Sequence, residues 1–408
     1  MITMECLPSD IVLDILSRLP VESVLDCKLV CKRLLKLLSD RWNQFAKMHH
    51  QQQLLQLASY GGDAYYSSTG LLFSFEKYKK DETRSIRLYY GDKYNVEMNI
   101  HENFSYETLH ETSISCPVVG TYIIAGSYFG LICLVRYHHH IPEPIHICNP
   151  VTGEYVNLPE YTLREEYYGA AYGFGYVHSM TNVQYKVVRI YYPDSDYNIG
   201  EVQVYTIGNG SGWRTIGRTS YRLHSQTPLG VYVNGYLHWI DKKKIVAFNL
   251  ADEEFRLIQS PPYCDPPHNC STCFDMLQVL RGNLCLCHQR NEEHLLDIWS
   301  LKKNATEASW TRDFSIAYQS SLDIDHQFPV WPLLITVKNE VLFVHQGDML
   351  CCYDPRTNMV IELWEDKKQE LNRLHASPHM NSFVSLKALG ERSETKKKLR
   401  HRSLEDTD

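Results

Sequence analysis

Apolar residues near the start of the chain recur at helical spacing. Ile11, Ile15 and Leu19 are four residues apart, so they would line one face of a helix. Pro20 should end that helix, because proline lacks the backbone N–H that a continuing helix needs. Further apolar residues follow before Asp40, and three short helices cannot bury all of this surface among themselves. The pattern predicts a three-helix unit that packs against the rest of the chain or against a partner.

The spacing of apolar residues changes from helical to alternating near residue 60. Residues 41–57 can continue as helix, and Gly61-Gly62 interrupts that pattern. From about residue 65 onward short apolar strands alternate with turns, and the 28 tyrosines suit pleated, half-buried strands. One unit recurs, in which two apolar strands, an Asn or Asp turn and another strand follow each other. We count five such units and a weaker sixth within residues 65–128.

This repeat is typical of propeller blades. The units start roughly 45 to 60 residues apart, close to the roughly 40 to 50 residues of propeller repeats. One small sheet cannot bury both faces alone, whereas a ring of such sheets can. Asn149-Pro150 and Asp354-Pro355 are placed to set turns, since an Asn or Asp side chain bonds its own backbone and proline fixes φ. We predict a β-propeller, with stacked β-sandwiches or an irregular barrel as the alternative.

Composition and charge narrow the function classes. The chain has 408 residues and a formal charge of −7, which gives no support to a nucleic-acid-binding surface. No run of about 18 apolar residues predicts a membrane span. Glu5, Asp10 and Asp14 interrupt any signal-peptide core. We therefore expect a cytoplasmic and/or nuclear protein in which the 13 cysteines are thiols.

Few residue patterns point to bond-making chemistry. Cys270 and Cys273 have the spacing of zinc ligands, but no second pair with that spacing exists. Cys285 and Cys287 alternate within a strand pattern, which favours packing as small apolar groups. There is no nucleophile elbow or phosphate-binding loop, and Gly173-x-Gly175 lacks the helix that a dinucleotide site needs. We predict no metal, no cofactor and no catalytic residue.

The order of residues in the N-terminal helices closely resembles the F-box. The segments that carry the resemblance are Leu7-Pro8, Asp10-Ile11, Ile15-Leu16, Arg18-Leu19-Pro20, Ser23-Val24-Leu25 and Leu29-Val30-Cys31-Lys32. The family usually has Trp where this chain has Leu34, a change that keeps the position apolar. F-boxes bind a Skp-family adaptor, which links them to a cullin and a RING subunit. The resemblance implies that the adaptor-binding residues are Leu7, Pro8, Ile11, Ile15, Leu16, Leu19, Pro20, Val24, Leu25, Val30 and Cys31.

A second resemblance covers about residues 115–363. Several segments look like signatures of the F-box-associated domain of plant F-box proteins: residues 147–153 (ICNPVTG), 172–176 (YGFGY), 184–188 (QYKVV), 231–239 (VYVNGYLHW) and 296–299 (LDIW). This family implies a kelch-like β-propeller that recruits substrates. Aromatic and Arg side chains in loops or at strand ends are the expected anchors. The substrate-binding candidates are Arg164, Tyr167, Tyr168, Tyr191, Tyr192, Tyr197 and Trp331.

The predicted fold class is α+β multidomain, with a small N-terminal three-helix F-box followed by an all-β propeller-like domain. We expect the F-box in residues 1–45, a helical linker in 46–64, the propeller in 65–385 and a disordered charged tail in 386–408. Within that tail, residues 396–402 form a basic run that is either a nuclear-import signal or a solvated segment.

These resemblances imply a non-catalytic, substrate-recognition subunit of a Skp–cullin–F-box E3 ubiquitin ligase. Its partners would be the adaptor, through it the cullin and RING subunits, and a protein substrate, with neither nucleic acid nor membrane. Two alternatives stay open. One is an adaptor-bound scaffold that acts outside a ligase. The other is a propeller enzyme or ligand-binding protein with an incidental helical N-terminus. The lack of a coherent set of catalytic residues argues against an enzyme.

Overall fold

The N-terminal region of this computed structural model is helical. The structure describes residues 7–60, 70–78, 84–91, 110–111, 122–136, 145–159, 167–178, 183–224, 227–262, 273–303, 308–318, 329–345, 349–365 and 372–395. Its helices are α1 (Ser9–Ser17), α2 (Val21–Val30), α3 (Lys32–Asp40) and α4 (Trp42–Tyr60). The three predicted short helices are confirmed. The fourth runs through the predicted boundary at residues 45 and 46, so the expected linker continues a helix that begins within the first unit.

Proline and extended backbone separate the short helices. Pro8 and Pro20 immediately precede α1 and α2, where a missing N–H removes no bond inside the helix. Cys31 has an extended backbone, with φ −154° and ψ 155°, and this single residue divides α2 from α3. The helices therefore turn sharply against each other within about 35 residues.

The remaining strands form blades of four antiparallel strands. Blade 1 contains β1 (Gly70–Tyr78), β2 (Arg84–Gly91), β3 (His110–Glu111) and β24 (Asn372–His379). Blade 2 contains β4 (Tyr122–Tyr128), β5 (Leu131–Arg136), β6 (His146–Asn149) and β7 (Glu154–Asn157), extended by β25 (Glu394–Thr395). Blade 3 contains β8 (Tyr167–His178), β9 (Val183–Pro193), β10 (Gly200–Thr206) and β11 (Trp213–Thr219).

Three further blades complete the described strands. Blade 4 contains β12 (Leu229–Val233), β13 (Tyr236–Asp241), β14 (Lys244–Asn249) and β15 (Phe255–Ile258). Blade 5 contains β16 (Cys273–Leu280), β17 (Asn283–Arg290), β18 (Leu295–Lys303) and β19 (Ala308–Ala317). Blade 6 contains β20 (Trp331–Ile335), β21 (Val341–His345), β22 (Met349–Asp354) and β23 (Met359–Glu365).

The first strands of the blades form a closed ring. Each innermost strand contacts the next one, in the order β4, β8, β12, β16, β20 and β24, and β24 contacts β4 again. Between blades 3 and 4 the neighbouring strands pair in parallel, with Leu229 opposite Tyr172 and Gly230 opposite Gly173. The predicted propeller is therefore confirmed, and the sandwich and barrel alternatives do not fit a ring of this kind.

The weak sixth unit of the sequence is a composite blade. Residues 65–128 supply only its outer strands, and β4 at the end of that range belongs to blade 2. The innermost strand is β24, from the far end of the chain, which pairs with β1 from Gly70 opposite His379 to Glu76 opposite Asn372. The unit looked weak in the sequence because its fourth strand lies about 300 residues away.

Both predicted Asn-Pro and Asp-Pro turns form. The backbone N–H of Val151 donates to Oδ1 of Asn149 over 2.9 Å, and the N–H of Arg356 donates to Oδ1 of Asp354 over 2.9 Å. In each turn the side-chain oxygen accepts a hydrogen bond from the backbone N–H two residues later, which holds the turn in place. The two turns connect the third and fourth strands of blades 2 and 6.

The predicted C-terminal boundary is wrong by about ten residues. Leu386 is buried in the core that blades 2 and 3 share, and the Glu391 carboxylate accepts a 2.7 Å bond from the N–H of Gly208. Farther on, β25 pairs with β7. Residues 386–395 are thus part of the fold, because Leu386 packs into a propeller core and Glu391 accepts a hydrogen bond from blade 3. Residues 396–408, with the basic run, lie outside the described residues.

The glycines of the YGFGY segment allow inner strands to approach closely. A Cβ at Gly175 would lie 2.4 Å from Cδ2 of Tyr232, and one at Gly173 would lie 2.6 Å from Cδ1 of Leu237. Real Cβ atoms do not come this close to other atoms, so the first strand of blade 3 must carry glycine where blade 4 packs on it. This packing requirement, rather than a nucleotide site, explains the motif.

Gly175→Ala should therefore destabilise the propeller. We expect it to lower the free energy of unfolding by about 1–3 kcal/mol, the usual cost of overpacking a core. Gly169→Ala on the same strand should cost less, because its Cβ would meet only the His224 side chain at 3.2 Å. Urea unfolding of the two variants and the wild type measures the difference, and equal stabilities for both variants would contradict the packing argument.

Candidate protein-interaction sites

The N-terminal helices carry large apolar side chains that face solvent. Ile11 and Ile15 lie one turn apart on α1 and are 49% and 40% exposed. At the end of α2, Leu29 is 85% and Val30 is 73% exposed. Exposed apolar side chains grouped on one small element mark a site of protein contact. We call this set, together with exposed Leu25 and Leu35, the outer helix surface.

The opposite faces of the same helices are closed by a core. Its buried residues are Val12, Leu13, Leu16, Val21, Val24, Leu34, Leu38, Phe45 and Phe383. The stripe of Ile11, Ile15 and Leu19 was predicted as one apolar face of α1, and all three residues were predicted to bind the adaptor. The structure leaves Ile11 and Ile15 exposed and half-buries Leu19, whereas it buries the neighbouring Val12, Leu13 and Leu16. The first helix is apolar on two faces, so its periodicity alone did not identify the inner one.

Phe383 comes from the opposite end of the chain. Its ring meets those of Trp42 and His49 edge-on, with centroids 4.9 Å apart in both pairs. Nearby, Nδ2 of Asn381 donates to Oε1 of Glu22 over 2.6 Å, and Nε2 of Gln53 donates to the carbonyl of Asn381 over 2.9 Å. We call these contacts the junction. They join the helices to the propeller by packed side chains.

The junction lies at the end of the propeller where the first strands finish. Phe129, directly after β4, has its ring 5.4 Å from that of His50, and Val151 between β6 and β7 packs against the helical core. The inner strands β4, β8 and β12 run in the same direction, since β8 pairs in parallel with β12, and the rings of Tyr128 and Phe129 at the end of β4 meet that of Tyr176 near the end of β8. The ends at which β8 and β12 begin therefore form the opposite face, which we call the distal face.

An aromatic cluster lies on the distal face. Tyr168 near the start of β8 is 50% exposed, and Tyr197 is 44% exposed. Their ring centroids are 5.3 Å apart, and the His224 ring meets Tyr168 edge-on at 5.5 Å. The guanidinium of Arg222 lies 5.5 Å from the centre of the Tyr197 ring. Tyrosine and arginine are the residue types that most often dominate protein interfaces.

Comparison with known families assigns both parts of the chain. A model of the F-box associated beta propeller domain matches residues 71–383, and a model described as F-box-like matches residues 4–47.

The chain belongs to the F-box-associated β-propeller family.

Several proteins of Arabidopsis thaliana are similar to this chain. "F-box protein At3g07870" is 25% identical over 394 residues, which cover 86% of each chain. "F-box protein At2g34280" is 27% identical and covers 87% of this chain and 93% of its own. "F-box protein CPR1" is 26% identical and covers 78% of this chain and 75% of its own. Each of these matches covers three quarters or more of both chains.

Solved structures resemble this chain only loosely. An oligogalacturonate lyase from Vibrio parahaemolyticus is 9% identical, covers 72% of this chain and 80% of its own, and aligns with a TM-score of 0.37. A likeness of this size says nothing about activity.

The structure divides the residues predicted to bind the adaptor. Leu16 and Val24 are buried in the F-box core, and Leu7 and Leu19 are half-buried against it. The exposed members are Pro8, Ile11, Ile15, Pro20, Leu25, Val30 and Cys31. Their role in adaptor binding stays a prediction. Leu29 and Leu35 were not in the predicted set, although they are equally exposed, because helical spacing does not tell which residue of an apolar run faces out.

The predicted substrate-binding residues do not all reach the surface. Tyr191 and Tyr192 lie at the end of β9, where Tyr191 is half-buried. Tyr192 is completely buried, and its hydroxyl donates to the Tyr221 carbonyl over 2.6 Å, so it is a core residue and not an anchor. Trp331 begins β20 and is half-buried against the cores that blade 6 shares with blade 1 and with blade 5. Among the predicted residues whose side chains are described, only Tyr168 and Tyr197 are exposed and in contact.

Two predicted candidates lack a described side chain, and two contributors were missed. Arg164 lies outside the described residues, and of Tyr167 only the backbone at the start of β8 is described. Arg222 and His224 join the cluster although no sequence motif marked them. They lie between β11 and β12, where Arg222 approaches Tyr197 and His224 approaches Tyr168, and local spacing cannot reveal these contacts.

The described cysteines offer no reactive thiolate pair. Cys285 and Cys287 are buried in the core of blades 5 and 6, as predicted, and burial raises the pKa of Cys285 to about 11. Protonated thiols of this kind are poor nucleophiles and poor ligands. Cys273 is disulfide-bonded, so the expectation that every cysteine is a thiol is wrong there. Cys270 lies outside the described residues.

Within the described ranges, no group of three His, Cys, Asp or Glu side chains is arranged to hold a metal ion. Among the same residues, no helix combines the length and the apolar character needed to cross a membrane.

Buried histidines at the junction should make the protein sensitive to acid. Burial, with the neighbouring His49 adding repulsion, lowers the pKa of His50 to about 4, and burial lowers the pKa of His379 to about 4. Unfolded histidines titrate near about 6.5, so between these values the unfolded chain binds more protons than the folded one. The free energy of unfolding should therefore fall as the pH drops from about 6.5 towards 4.

His50→Gln tests this dependence. The variant removes one group that gains a proton on unfolding, so stability should fall less steeply with acid, by up to about 1.4 kcal/mol per pH unit within that window. Urea unfolding at several pH values gives both slopes. Identical slopes for the variant and the wild type would contradict the assignment of His50 as a neutral buried group.

Proposed function

We propose that this chain is the substrate-recognition subunit of a Skp–cullin–F-box E3 ubiquitin ligase. The observation that supports the adaptor half most strongly is the outer helix surface. The F-box already has a closed core, completed by Phe383, and still leaves Ile15, Leu29 and Val30 in solvent. A helical cap that only served the propeller would have no reason to keep a second apolar face. A Skp-family adaptor, and through it the cullin and RING subunits, would cover that face.

The distal face would hold the protein substrate. Tyr168, Tyr197, Arg222 and His224 supply rigid aromatic area and a cation at a strand end far from the F-box. The chain itself would perform no bond chemistry. It would raise the effective concentration of the substrate near a ubiquitin-charged conjugating enzyme, which for tethered groups reaches the millimolar range, and it would fix orientation. We place this activity in the cytoplasm and/or the nucleus.

Introducing negative charge on the outer helix surface tests the adaptor half of the proposal. Ile15→Asp combined with Val30→Asp should weaken binding of a Skp-family adaptor at least about 100-fold, since burying unpaired carboxylates costs several kcal/mol. The unfolding midpoint should hardly change, because both side chains already face solvent. Isothermal titration calorimetry with the purified adaptor measures the affinity.

A matched control separates this effect from general surface damage. Leu257→Asp introduces the same charge at a 51% exposed leucine on β15 and should bind like the wild type. A wild-type chain that does not bind the adaptor would overturn the proposal. Adaptor binding without a co-purifying cullin would favour a scaffold outside a ligase.

Alanine substitution at the distal face tests the substrate half. Tyr168→Ala with Tyr197→Ala should reduce ubiquitination of dependent proteins by roughly 30-fold or more, if the pair acts as a hot spot worth about 2 kcal/mol. Adaptor affinity should stay at the wild-type value. Met359→Ala with Ile361→Ala, which removes exposed apolar side chains from β23 instead, is the control. Quantitative proteomics of ubiquitinated peptides gives the readout, and equal losses in both double variants would argue against the Tyr pair.

A further inference from the structure

One short C-terminal segment belongs to two cores at once. Phe383 is 1% exposed, and its ring lies 4.9 Å from both Trp42 and His49 inside the F-box. Three residues later, Leu386 is fully buried in the core that blades 2 and 3 share. The F-box therefore does not close its core with its own residues. It depends on a side chain that the propeller holds in place.

Asn149 fixes the backbone on both sides of Phe383. Its Nδ2 donates to the carbonyl of Ser382 over 3.1 Å and to that of Val384 over 2.7 Å. Its Oδ1 meanwhile accepts the 2.9 Å bond that forms the turn at Val151. The residue that sets a blade 2 turn thus also aims the Phe383 ring at the helices. Gly130 allows this segment to approach blade 2 closely, since a Cβ at position 130 would lie 2.9 Å from Cβ of Ser382.

The same segment continues from the strand that closes the ring. His379, the last residue of β24, shares a 2.6 Å hydrogen bond between its Nδ1 and Oγ of Ser127 in β4. Its Nε2 lies 3.0 Å from Oδ1 of Asn381. The Nδ2 group of Asn381 in turn donates to Oε1 of Glu22 in α2. A continuous series of hydrogen bonds therefore runs from the contact between blades 1 and 2 into the F-box.

We infer that the F-box core, and with it the outer helix surface, is completed only when the propeller has closed. Residues 381–384 act as a latch: they reach their place once β24 has paired with β1, and they then insert Phe383 between α4 and the shorter helices. Because synthesis runs from the N-terminus, the F-box is made more than 300 residues before its missing side chain, as the separation of Gln53 and Asn381 shows. An unfinished or open chain would lack a complete adaptor surface, a consequence that rests on the proposed function.

Hydrogen exchange of the full chain tests the latch without any partner. Asn149→Asp keeps the acceptor for the Val151 turn but removes both donors to the backbone around Phe383. We expect amides of α1–α3 to exchange at least tenfold faster than in the wild type, with the strands of blade 5 unchanged. Unchanged exchange in α1–α3 would overturn the inference.

A matched pair of core variants tests the link to ring closure. Leu374→Ala weakens β24, where the leucine packs among residues of blades 1 and 6. Leu296→Ala removes an equally buried side chain from blade 5. Only Leu374→Ala should accelerate exchange in α1–α3. Equal acceleration by both would mean that general destabilisation, and not the latch, controls the F-box, and the inference would fail.

Adaptor affinity then separates the two proposals. Asn149→Asp should lower it at least tenfold by calorimetry, although residue 149 lies outside the outer helix surface. If the wild type does not bind the adaptor, the proposed function fails while the exchange data still decide on the latch. If the variant shows fast exchange but wild-type affinity, the adaptor surface does not need the latch and the inference is overturned.

Discussion

The pairing of β24 with β1 is the constraint on which the rest of the structure depends. A propeller buries its apolar residues only when every blade has a neighbour on both sides. Leu71, Leu72 and Phe73 of β1 are all buried, and without β24 they would form an exposed apolar edge. The strands β1 and β24 from distant parts of the chain must therefore pair before blades 1, 2 and 6 are fully covered. This closure brings the C-terminal segment to the face where the helices lie.

The F-box uses this closure to complete its own fold. Three short helices provide too little core to be stable alone, because small units bury a small fraction of their surface. The propeller supplies Phe383, and α4 carries Trp42 and His49 to meet it. The outer faces of α1 and α2 contribute nothing to this core. Their apolar side chains remain exposed in the described part of the chain, an observation that supports the proposed adaptor binding.

Local patterns in the sequence predicted the helices, turns and blades, whereas the candidate sites depend on contacts between residues that are distant in sequence. Helical spacing, the Asn149 turn and the strand repeat each depend on neighbours in the chain, so the helices, turns and blades were predictable. The inner strand of blade 1, the core position of Phe383 and the contact of His224 with Tyr168 join residues that are distant in sequence. No local pattern encodes such contacts. Tyr192 shows the same limit, since it lies at a strand end and was predicted as a surface anchor, yet its side chain is fully buried.

The two proposed interaction surfaces lie at opposite ends of the inner strands. Phe129 at the end of β4 contacts α4, whereas Tyr168 lies where β8 begins. Between them stand paired strands and a junction of packed rings and short hydrogen bonds, so little freedom is left to absorb a change in angle. A subunit that works by positioning gains from this stiffness, because effective concentration falls when a tether allows many orientations. The latch at Phe383 therefore serves orientation as well as stability, since the ring that completes the F-box core also fixes the direction in which the distal face points.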